Sequence, residues 1–246
     1  MWGNSESPLA REFAMYLFEI LGEVHLPIEV IKSNTADFME IFRKSLSDAE
    51  IRVRVAALKA TAAFLCSIDD TTIVMQFQGI VEAMLATTIE AIKADEEKGR
   101  ESLETFVELA EYHADVFSAV AGKLVQVVSE VMAYRELEEK TRITAAEIVA
   151  SLAEKSGSVM RKVTEMQTYF FPACMQMLSE VPLGDESEQA EWATTAEEED
   201  VTKNDVHSAA KGTVNSVAAS LGEKVALACS TDLIKSALAD GDWKRR

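Results

Sequence analysis

The residue types that most often carry out chemistry in proteins are few in this sequence. Its three histidines, His25, His113 and His207, are far apart, and no second His or Glu stands at the spacing of a zinc-protease motif. His113 is expected to be an ordinary hydrogen-bonded surface side chain. The three cysteines form no metal-binding pairs and are expected to be reduced core thiols. Without a glycine-rich nucleophile elbow or a complete P-loop, the sequence predicts neither catalysis nor a cofactor.

Four glutamates recur at helical spacing near the middle of the chain. Glu101, Glu104, Glu108 and Glu111 are three, four and three positions apart, which places them on one side of a helix. A solvated helix face gives the same pattern, because surface helices commonly carry acidic residues on the side that faces water. The alternative interpretation is an acidic wall that attracts partners rich in Lys and Arg. The spacing is compatible with both interpretations.

A second acidic cluster lies at about residues 183–202, in the longest stretch without a helical pattern. It contains eight carboxylates and one tryptophan but no Lys or Arg: Asp185, Glu186, Glu188, Glu191, Trp192, Glu197, Glu198, Glu199 and Asp200. A solvated loop accounts for the charges. The tryptophan favours a second interpretation, an anchor at an interface, because a large aromatic side chain is unfavourable in water.

The overall charge restricts the class of partner. The 246 residues include 42 Asp and Glu but only 24 Lys and Arg, a formal net charge of −18. Nucleic acids and anionic membranes attract clustered basic residues, so this acidic excess argues against both as direct partners. It favours basic proteins instead. At 48% hydrophobic residues, the chain is too apolar to be disordered.

The sequence gives no clear signal for secretion or membrane insertion. Residues 1–6 lack the basic and apolar regions of a signal peptide. The most apolar segment, residues 73–92, is interrupted by two glutamines and two glutamates, which argues against a membrane span. We therefore expect a soluble intracellular protein.

Apolar residues recur at helical spacing along almost the whole chain. Ile51, Val55, Leu58, Ala62 and Leu65, for example, advance by alternating steps of four and three. Only 10 Gly and 4 Pro are present, fewer than the turns of a β-rich fold of this size require. The pattern predicts an all-α protein with helices over residues 8–23, 35–47, 49–66, 71–93, 97–113, 115–133, 137–155, 159–180, 203–222 and 223–239.

An acidic and a basic residue recur six positions apart. Asp48 precedes Arg54, and Glu136 precedes Arg142, which lies 88 positions beyond Arg54, or two units of 44. A third such pair, Asp240 and Arg246, lies 104 positions beyond the second, which is 16 more than the 88 positions between the first two. This surplus equals the length of residues 185–200. The sequence therefore consists of two-helix units of about 44 residues with one acidic insertion.

This spacing has a physical explanation. The acid accepts hydrogen bonds from amides at the start of a helix. The basic residue in that helix can then pair with an acid of the neighbouring unit. Because two helices cannot bury their apolar faces alone, such units stack, and the first and last helices expose apolar faces. An ordinary helical bundle with chance spacing is the alternative.

The pattern resembles HEAT repeats, and short motifs narrow the resemblance to the importin-β superfamily. In order and spacing they are similar to the importin beta-3 type of karyopherin, although Glu223 stands where the family has Gly and Arg245 where it has Tyr. The matching segments are Lys59-Ala60-Thr61-Ala62-Ala63-Phe64-Leu65 with Asp69-Asp70, residues 103–111, Met160-Arg161-Lys162, Glu191-Trp192-Ala193, Leu221-Gly222-Glu223-Lys224 and Asp242-Trp243-Lys244-Arg245.

The resemblance implies a fold and a role. The fold is a right-handed α-solenoid of stacked antiparallel helix pairs, here a single domain of about five HEAT repeats whose first and last repeats are incomplete. Such receptors are much longer, so the chain would be an internal fragment. They carry cargo through the nuclear pore between cytoplasm and nucleus, contact Phe-Gly nucleoporins and release cargo when Ran-GTP binds. The family's acidic segment contacts Ran, which implies the same role for the segment around Trp192.

The resemblance also gives the glutamates of helix 97–113 a role. Together with helices 49–66, 137–155 and 203–222, this helix would line the concave inner face. The glutamates would then attract basic cargo, such as nuclear localisation signals, ribosomal proteins and histones. We therefore predict a nuclear transport receptor fragment that works by binding. A non-transport HEAT scaffold, such as a phosphatase scaffold subunit, is the alternative.

Overall fold

The computed structural model describes residues 5–23, 26–180 and 205–241, which form helices and turns with no strand among them. The internal contacts divide the chain into two compact units, Met1–Leu124 and Val125–Arg246. The single repeat domain with an acidic insertion stays a prediction.

The first unit is arranged around one central helix, α3. Its elements are α1 (Pro8–Glu23), α2 (Ile28–Leu46), α3 (Ile51–Cys66), α4 (Thr71–Val74), a 3-10 helix (Met75–Ile80), α5 (Val81–Ala94), α6 (Glu96–His113) and a second 3-10 helix (Ala114–Phe117). Helix α3 packs against α1, α2, α5 and α6. Nine of its side chains are buried, because alanines and branched apolar residues surround most of its circumference.

A cluster of phenylalanine rings fills the core of this unit. The ring centroid of Phe64 in α3 lies 4.8 Å from that of Phe38, 5.4 Å from that of Phe42 and 5.7 Å from that of Phe77. Phe42, Phe64 and Phe77 are almost completely buried. The cluster therefore joins α2, α3 and the first 3-10 helix through tilted and edge-on aromatic contacts.

The second unit is arranged around its helix α11. Its elements are α7 (Ala121–Ala133, which begins before the unit boundary), α8 (Glu139–Lys155), α9 (Gly157–Met160), a π-helical turn (Met166–Phe170), α10 (Phe171–Leu178), α11 (Val206–Leu221) and α12 (Glu223–Leu238). Helix α11 packs against α8, α10 and α12. Gly222 joins α11 to α12 with φ of 83°, a conformation that glycine adopts without steric cost.

The predicted helices are confirmed over most of the described residues, but the second begins earlier than predicted. Helix α2 begins at Ile28, directly after Pro27, rather than at residue 35. The predicted range left residues 28–34 outside the helix. Ser33, Asn34 and Thr35 instead donate side-chain hydrogen bonds to carbonyl oxygens one turn earlier, which accommodates them inside the helix.

Three of the predicted helices are interrupted. The helix predicted over 71–93 contains a 3-10 segment, the one over 115–133 begins as a 3-10 turn, and the one over 159–180 contains a π-helical turn. Gly79 and Gly122 lie within or beside the first two interruptions, where glycine lowers helix propensity. Pro172 follows the π-helical turn at the start of α10, where its missing amide hydrogen is not needed.

Among the described residues, one segment is long and apolar enough to cross a membrane. This segment, Thr71–Ala94, comprises α4, the first 3-10 helix and α5, and 50% of the apolar window within it is buried inside the structure. Buried core helices meet the same criterion of length and composition, and α5 packs against α3 and α6.

Seven polar contacts that connect neighbouring elements join residues with similar separations in sequence. The partners are 36 to 43 positions apart, close to the predicted repeat of 44. These pairs are Arg11 with Asp48, Arg54 with Glu90, Lys59 with Glu101, Gln78 with Ser118, Glu82 with Lys123, Ala133 with Gln176 and Arg142 with Glu180.

Arg54 and Arg142, the basic residues of the first two acid–base pairs, link consecutive helix pairs, as predicted, whereas the basic residue of the third pair, Arg246, lies outside the described residues. Arg54 forms an ion pair with Glu90, and the Nη1 and Nη2 atoms of Arg142 each lie 2.8 Å from a carboxylate oxygen of Glu180. The acids of the motif differ from each other. Asp48 accepts a hydrogen bond from the amide of Glu50 at the start of α3, whereas Glu136 accepts one from the hydroxyl of Tyr134 and caps no helix.

The first and last described helices expose apolar side chains, as predicted. Helix α1 exposes Leu9, Phe13, Tyr16, Leu17, Ile20 and Leu21, and α12 exposes Leu227, Ile234 and Leu238. No residue of α12 is fully buried. Each of these helices therefore presents large apolar side chains at the surface of the described part of the chain.

Candidate functional site

Helix α6 carries the four predicted glutamates on the side opposite its apolar face. Asp95 caps its first turn by accepting a hydrogen bond from the amide of Lys98, at 3.3 Å. Leu103, Phe106 and Leu109 are buried, whereas Glu104, Glu108 and Glu111 are exposed and Glu101 is half-buried. The helical period thus turns the acids away from the core.

A close approach between two helices fixes the orientation of α6. A Cβ atom added to Gly99 would lie 2.4–2.6 Å from atoms of Ile92 in α5, including its backbone nitrogen and Cα. Only glycine fits at such a distance, so α6 lies directly against α5. This contact determines in which direction the glutamates point.

Glu101, Glu104 and Glu108 face a groove of about 510 Å³ between α1, α3 and α6, which we call the acidic groove. It is lined by Glu19, Gly22, Lys59, Ala63, Cys66, Ser67, Asp69, Glu101, Glu104, Thr105, Glu108 and Tyr112. Three of the four predicted glutamates are therefore brought together, and two further acids, Glu19 and Asp69, join them. The groove can attract a cation, because five carboxylates of like charge face the same space.

Glu111 does not line the acidic groove. Successive residues of a helix are rotated by about 100°, so Tyr112, rather than Glu111, continues the line from Glu101 through Glu108. Tyr112 is 63% exposed and adds an aromatic surface to the acidic wall. The spacing of the acids alone did not identify it.

Two basic residues partly neutralise the glutamates. The Nζ atom of Lys59 lies 2.5 Å from a carboxylate oxygen of Glu101, which connects α3 to α6. Arg100 forms an ion pair with Glu104 on its own helix. Glu108 has no ion-pair partner among the described residues. The potential of the groove therefore remains negative.

The thiol of Cys66 lies in the acidic groove but is not activated. Burial and the nearby charge of Glu108 raise its pKa to about 12. A thiol with so high a pKa stays protonated near neutral pH, and the thiolate is the reactive form. Cys174 lies in the core, where burial also raises its pKa. Cys66 therefore differs from the predicted core cysteine in facing the groove, and neither thiol is set up as a nucleophile.

The histidines are also placed differently from one another. His113 lies at the end of α6 and is half-buried, with its Nε2 atom buried and without a hydrogen-bond partner. It is therefore less exposed than the surface side chain that the sequence suggested. Burial lowers its pKa, although the carbonyl groups of Leu65 and Ile68 act in the opposite direction. His207 forms a hydrogen bond of 2.7 Å with the carbonyl oxygen of Leu178, and His25 lies outside the described residues.

A second, more apolar cavity of about 380 Å³ adjoins the acidic groove. It shares Glu19, Lys59 and Glu101 with the groove. Its remaining lining residues are Leu9, Glu12, Phe13, Tyr16, Arg52, Val55, Ala56 and Lys98. The Lys59–Glu101 ion pair thus lies where an acidic space meets an apolar one.

The candidate acidic loop at 183–202, with Trp192, lies outside the described residues. The nearest described residues are Glu180 and Asp205. Glu180 accepts hydrogen bonds from Arg142 on one side, and on the other side Asp205 caps α11 by accepting a hydrogen bond from the amide of Ser208, at 2.7 Å. In the described part of the chain, no three His, Cys, Asp or Glu side chains are placed so that they could hold a metal ion together.

Comparison with models of known protein families assigns the chain to a family. The family model described as "IPO5-like, TPR repeats" matches residues 1–127, which is more than half of the chain. The chain belongs to this importin-5-like family. A second model, described as "Importin repeat", matches residues 134–228. The resemblance to the importin-β superfamily is therefore confirmed.

Two curated relatives extend over nearly the whole chain. A probable importin-5 homolog of Dictyostelium discoideum is 24% identical over 239 residues, which cover 96% of this chain. Importin subunit beta-3 of Saccharomyces cerevisiae is 23% identical over 248 residues, which cover 99% of it. The chain spans only 21% and 22% of the lengths of these importin relatives.

Solved structures support the predicted fold. A crystal structure of a Kap121p mutant matches the chain with a TM-score of 0.80 at 19% identity and covers 100% of it. Kap121p bound to Nup53p matches with a TM-score of 0.79 at 18% identity over 99% of the chain. In both, the chain covers 23% of the Kap121p chain. The prediction of an all-α HEAT-repeat fold is confirmed.

Proposed function

We propose that this importin-5-like chain is part of a nuclear transport receptor and that its acidic groove binds Lys- and Arg-rich segments of cargo. The family assignment supports transport over the alternative of a phosphatase-type scaffold. Structures of the similar protein Kap121p have been solved bound to Nup53p, to the SUMO protease Ulp1p and to Ste12p. By analogy, the partners of the receptor include cargo proteins and Phe-Gly nucleoporins, and it acts in cytoplasm and nucleus.

The observation that carries the cargo proposal is the convergence of carboxylates in one concave space. Glu19 from α1, Asp69 from the turn after α3, and Glu101, Glu104 and Glu108 from α6 line the same groove. Three separate segments thus supply charge of one sign, which a solvated helix face alone would not require. Such a surface attracts basic segments and speeds their association.

We expect the double variant Glu104→Gln and Glu108→Gln to bind a fluorescein-labelled decalysine peptide about tenfold more weakly than the unchanged chain at low salt. Each charge at a solvent-exposed interface contributes up to about 1 kcal/mol, and salt screens that contribution. The measurement is fluorescence anisotropy at two salt concentrations, and the difference between the proteins should shrink at the higher one.

The matched control for this test is the double variant Glu111→Gln and Glu130→Gln. Both of these residues lie outside the lining of the groove, and the change in net charge is the same. We expect this control to change affinity by less than about twofold, because neither of its two charges lines the groove and salt screens both. Equal weakening by both double variants would attribute binding to overall charge and reject the groove as the site.

We further propose that the acidic segment 185–200 contacts Ran, so that Ran-GTP binding promotes cargo release. Its eight carboxylates and Trp192 support this role, since they match the acidic segment of the importin-β superfamily. In the full-length receptor, deleting residues 185–200 is expected to weaken Ran-GTP binding several-fold or to slow Ran-driven cargo release.

A second variant separates charge from length in this test. It keeps all 16 residues but changes the eight acids to Gln or Asn, and it should reproduce the effect of the deletion if charge is responsible. If both variants bind Ran-GTP and release cargo as the unchanged receptor does, the segment is only a spacer.

A further inference from the structure

Lys59 is the one basic residue in the described lining of the acidic groove. It projects from α3 toward α6, where its ammonium group lies 2.5 Å from the carboxylate of Glu101. A basic side chain of the same protein therefore already occupies the space in which a basic partner would bind. Hydrophobic periodicity and the spacing of the glutamates gave no indication of this.

Small residues leave open space on both sides of Lys59. Ala63 lies about one turn further along α3 and lines the acidic groove, and Ala56 lies about one turn earlier and lines the apolar cavity. The Lys59–Glu101 ion pair thus lines both the acidic groove, of about 510 Å³, and the apolar cavity, of about 380 Å³. Ala56 and Ala63, which are small, leave room for a partner on both sides of the ion pair.

The ion pair is accessible enough to be exchanged. The side chain of Lys59 is 26% exposed and that of Glu101 is 40% exposed. Partly exposed ion pairs contribute little net stability, because solvent screens the attraction and both side chains lose rotamer freedom. A lysine or arginine from a partner can therefore replace Lys59 at Glu101 without a large loss of stability.

We propose that Lys59 is an intramolecular competitor that limits the affinity of the acidic groove for basic segments. While it is bound to Glu101, it withdraws one carboxylate from the partner and repels the incoming cation. The groove then discriminates by charge density, because a partner must present enough basic residues to outweigh Lys59. This inference rests on the proposed cargo function of the groove.

The variant Lys59→Gln is expected to bind the labelled decalysine peptide about three- to tenfold more tightly than the unchanged chain at low salt. The substitution leaves Glu101 for the peptide and removes a like charge from the groove. The increase should fall below about twofold at high salt, where such charges are screened. Fluorescence anisotropy on the 246-residue chain gives the affinity, and circular dichroism checks that the helices are intact.

The matched control is Lys123→Gln. Lys123 also forms an ion pair with a glutamate of a neighbouring element, Glu82, and its removal changes the net charge equally, but it does not line the groove. We expect this control to leave the affinity within about twofold. A Lys123→Gln variant that tightens binding as much as Lys59→Gln would reduce the effect to net charge and overturn the proposal.

A charge exchange provides an independent test. In the double variant Lys59→Glu and Glu101→Lys, the ion pair is restored in reverse and the charge of the groove is unchanged, so affinity should return to that of the unchanged chain.

Weaker or unchanged binding by Lys59→Gln would overturn the role of Lys59 while leaving the groove as a site. Absence of binding by both the unchanged chain and Lys59→Gln would reject the cargo proposal as well.

Discussion

Replacing Arg142 by methionine is expected to destabilise the second unit by about 3 kcal/mol, because it breaks a buried ion pair by removing one partner. The side chain of Arg142 is only 3% exposed. Its Nη1 and Nη2 atoms each donate a hydrogen bond of 2.8 Å to Glu180, and its Nε donates one of 2.8 Å to the carbonyl oxygen of Met132. Methionine fills similar volume but leaves the carboxylate and the carbonyl group without these donors.

A neighbouring arginine provides the control for this prediction. Arg135 lies 3.0 Å from the same carboxylate of Glu180, but its side chain is 57% exposed. We expect Arg135→Met to cost less than about 1 kcal/mol, as is usual for exposed ion pairs. Hydrogen exchange of the amides in α8 at increasing urea concentration gives the free energy of unfolding of the second unit for both variants. If Arg142→Met and Arg135→Met lower the free energy of unfolding by similar amounts, burial of Arg142 does not determine the strength of its ion pair with Glu180.

Acidification provides a second measurement of this ion pair. Burial by itself raises the pKa of Glu180, but the hydrogen bonds and charges of Arg142 and Arg135 outweigh burial and hold that pKa below its ordinary value of 4.5. A carboxylate whose pKa is lower in the folded state stabilises the fold above its unfolded pKa and loses this contribution as pH falls through the folded value. Stability should therefore fall below about pH 4.5, and less steeply in Arg142→Met.

The sequence predicted the existence of this link but not its partner. A basic residue six positions after an acid indicated that Arg142 and Arg54 reach an acid of the next unit. Their partners, Glu180 and Glu90, are 38 and 36 positions away, among many other acids of the chain. Which acid is reached depends on how consecutive helix pairs pack, and this is not encoded in local spacing.

The acidic groove was predictable only in part, for a similar reason. Helical periodicity places Glu101, Glu104 and Glu108 on one face of α6, because that face depends on local geometry alone. Glu19 and Lys59 come from other helices and enter the groove only after those helices have packed. Local spacing therefore did not indicate that Lys59 faces the glutamates of α6.

The predicted start of one helix was seven residues too late. The sequence predicted the start of α2 at residue 35, whereas the helix begins at Ile28. Ser33, Asn34 and Thr35 donate side-chain hydrogen bonds to carbonyl groups of the preceding turn, so these polar residues are accommodated within the helix. Hydrophobic periodicity does not register such local hydrogen bonds.

Replacing Phe64 by alanine is expected to destabilise the first unit by about 4 kcal/mol, the largest effect that we predict for a single substitution. Phe64 is 1% exposed and contacts the rings of Phe38, Phe42 and Phe77. Its removal leaves a cavity at the junction of three helical elements, and close-packed surroundings relax only partly into such a space. The loss also removes three aromatic contacts that favour tilted and edge-on geometry.

The control for this prediction is the same truncation at Phe13, which is 45% exposed on α1. We expect Phe13→Ala to cost no more than about 1 kcal/mol, because much less apolar area is removed from the buried state. Hydrogen exchange of amides in α3 at increasing urea concentration reports on the first unit for both variants. Because Phe64 belongs to the core and Phe13 to an exposed apolar face, equal costs would contradict the placement of the core around α3.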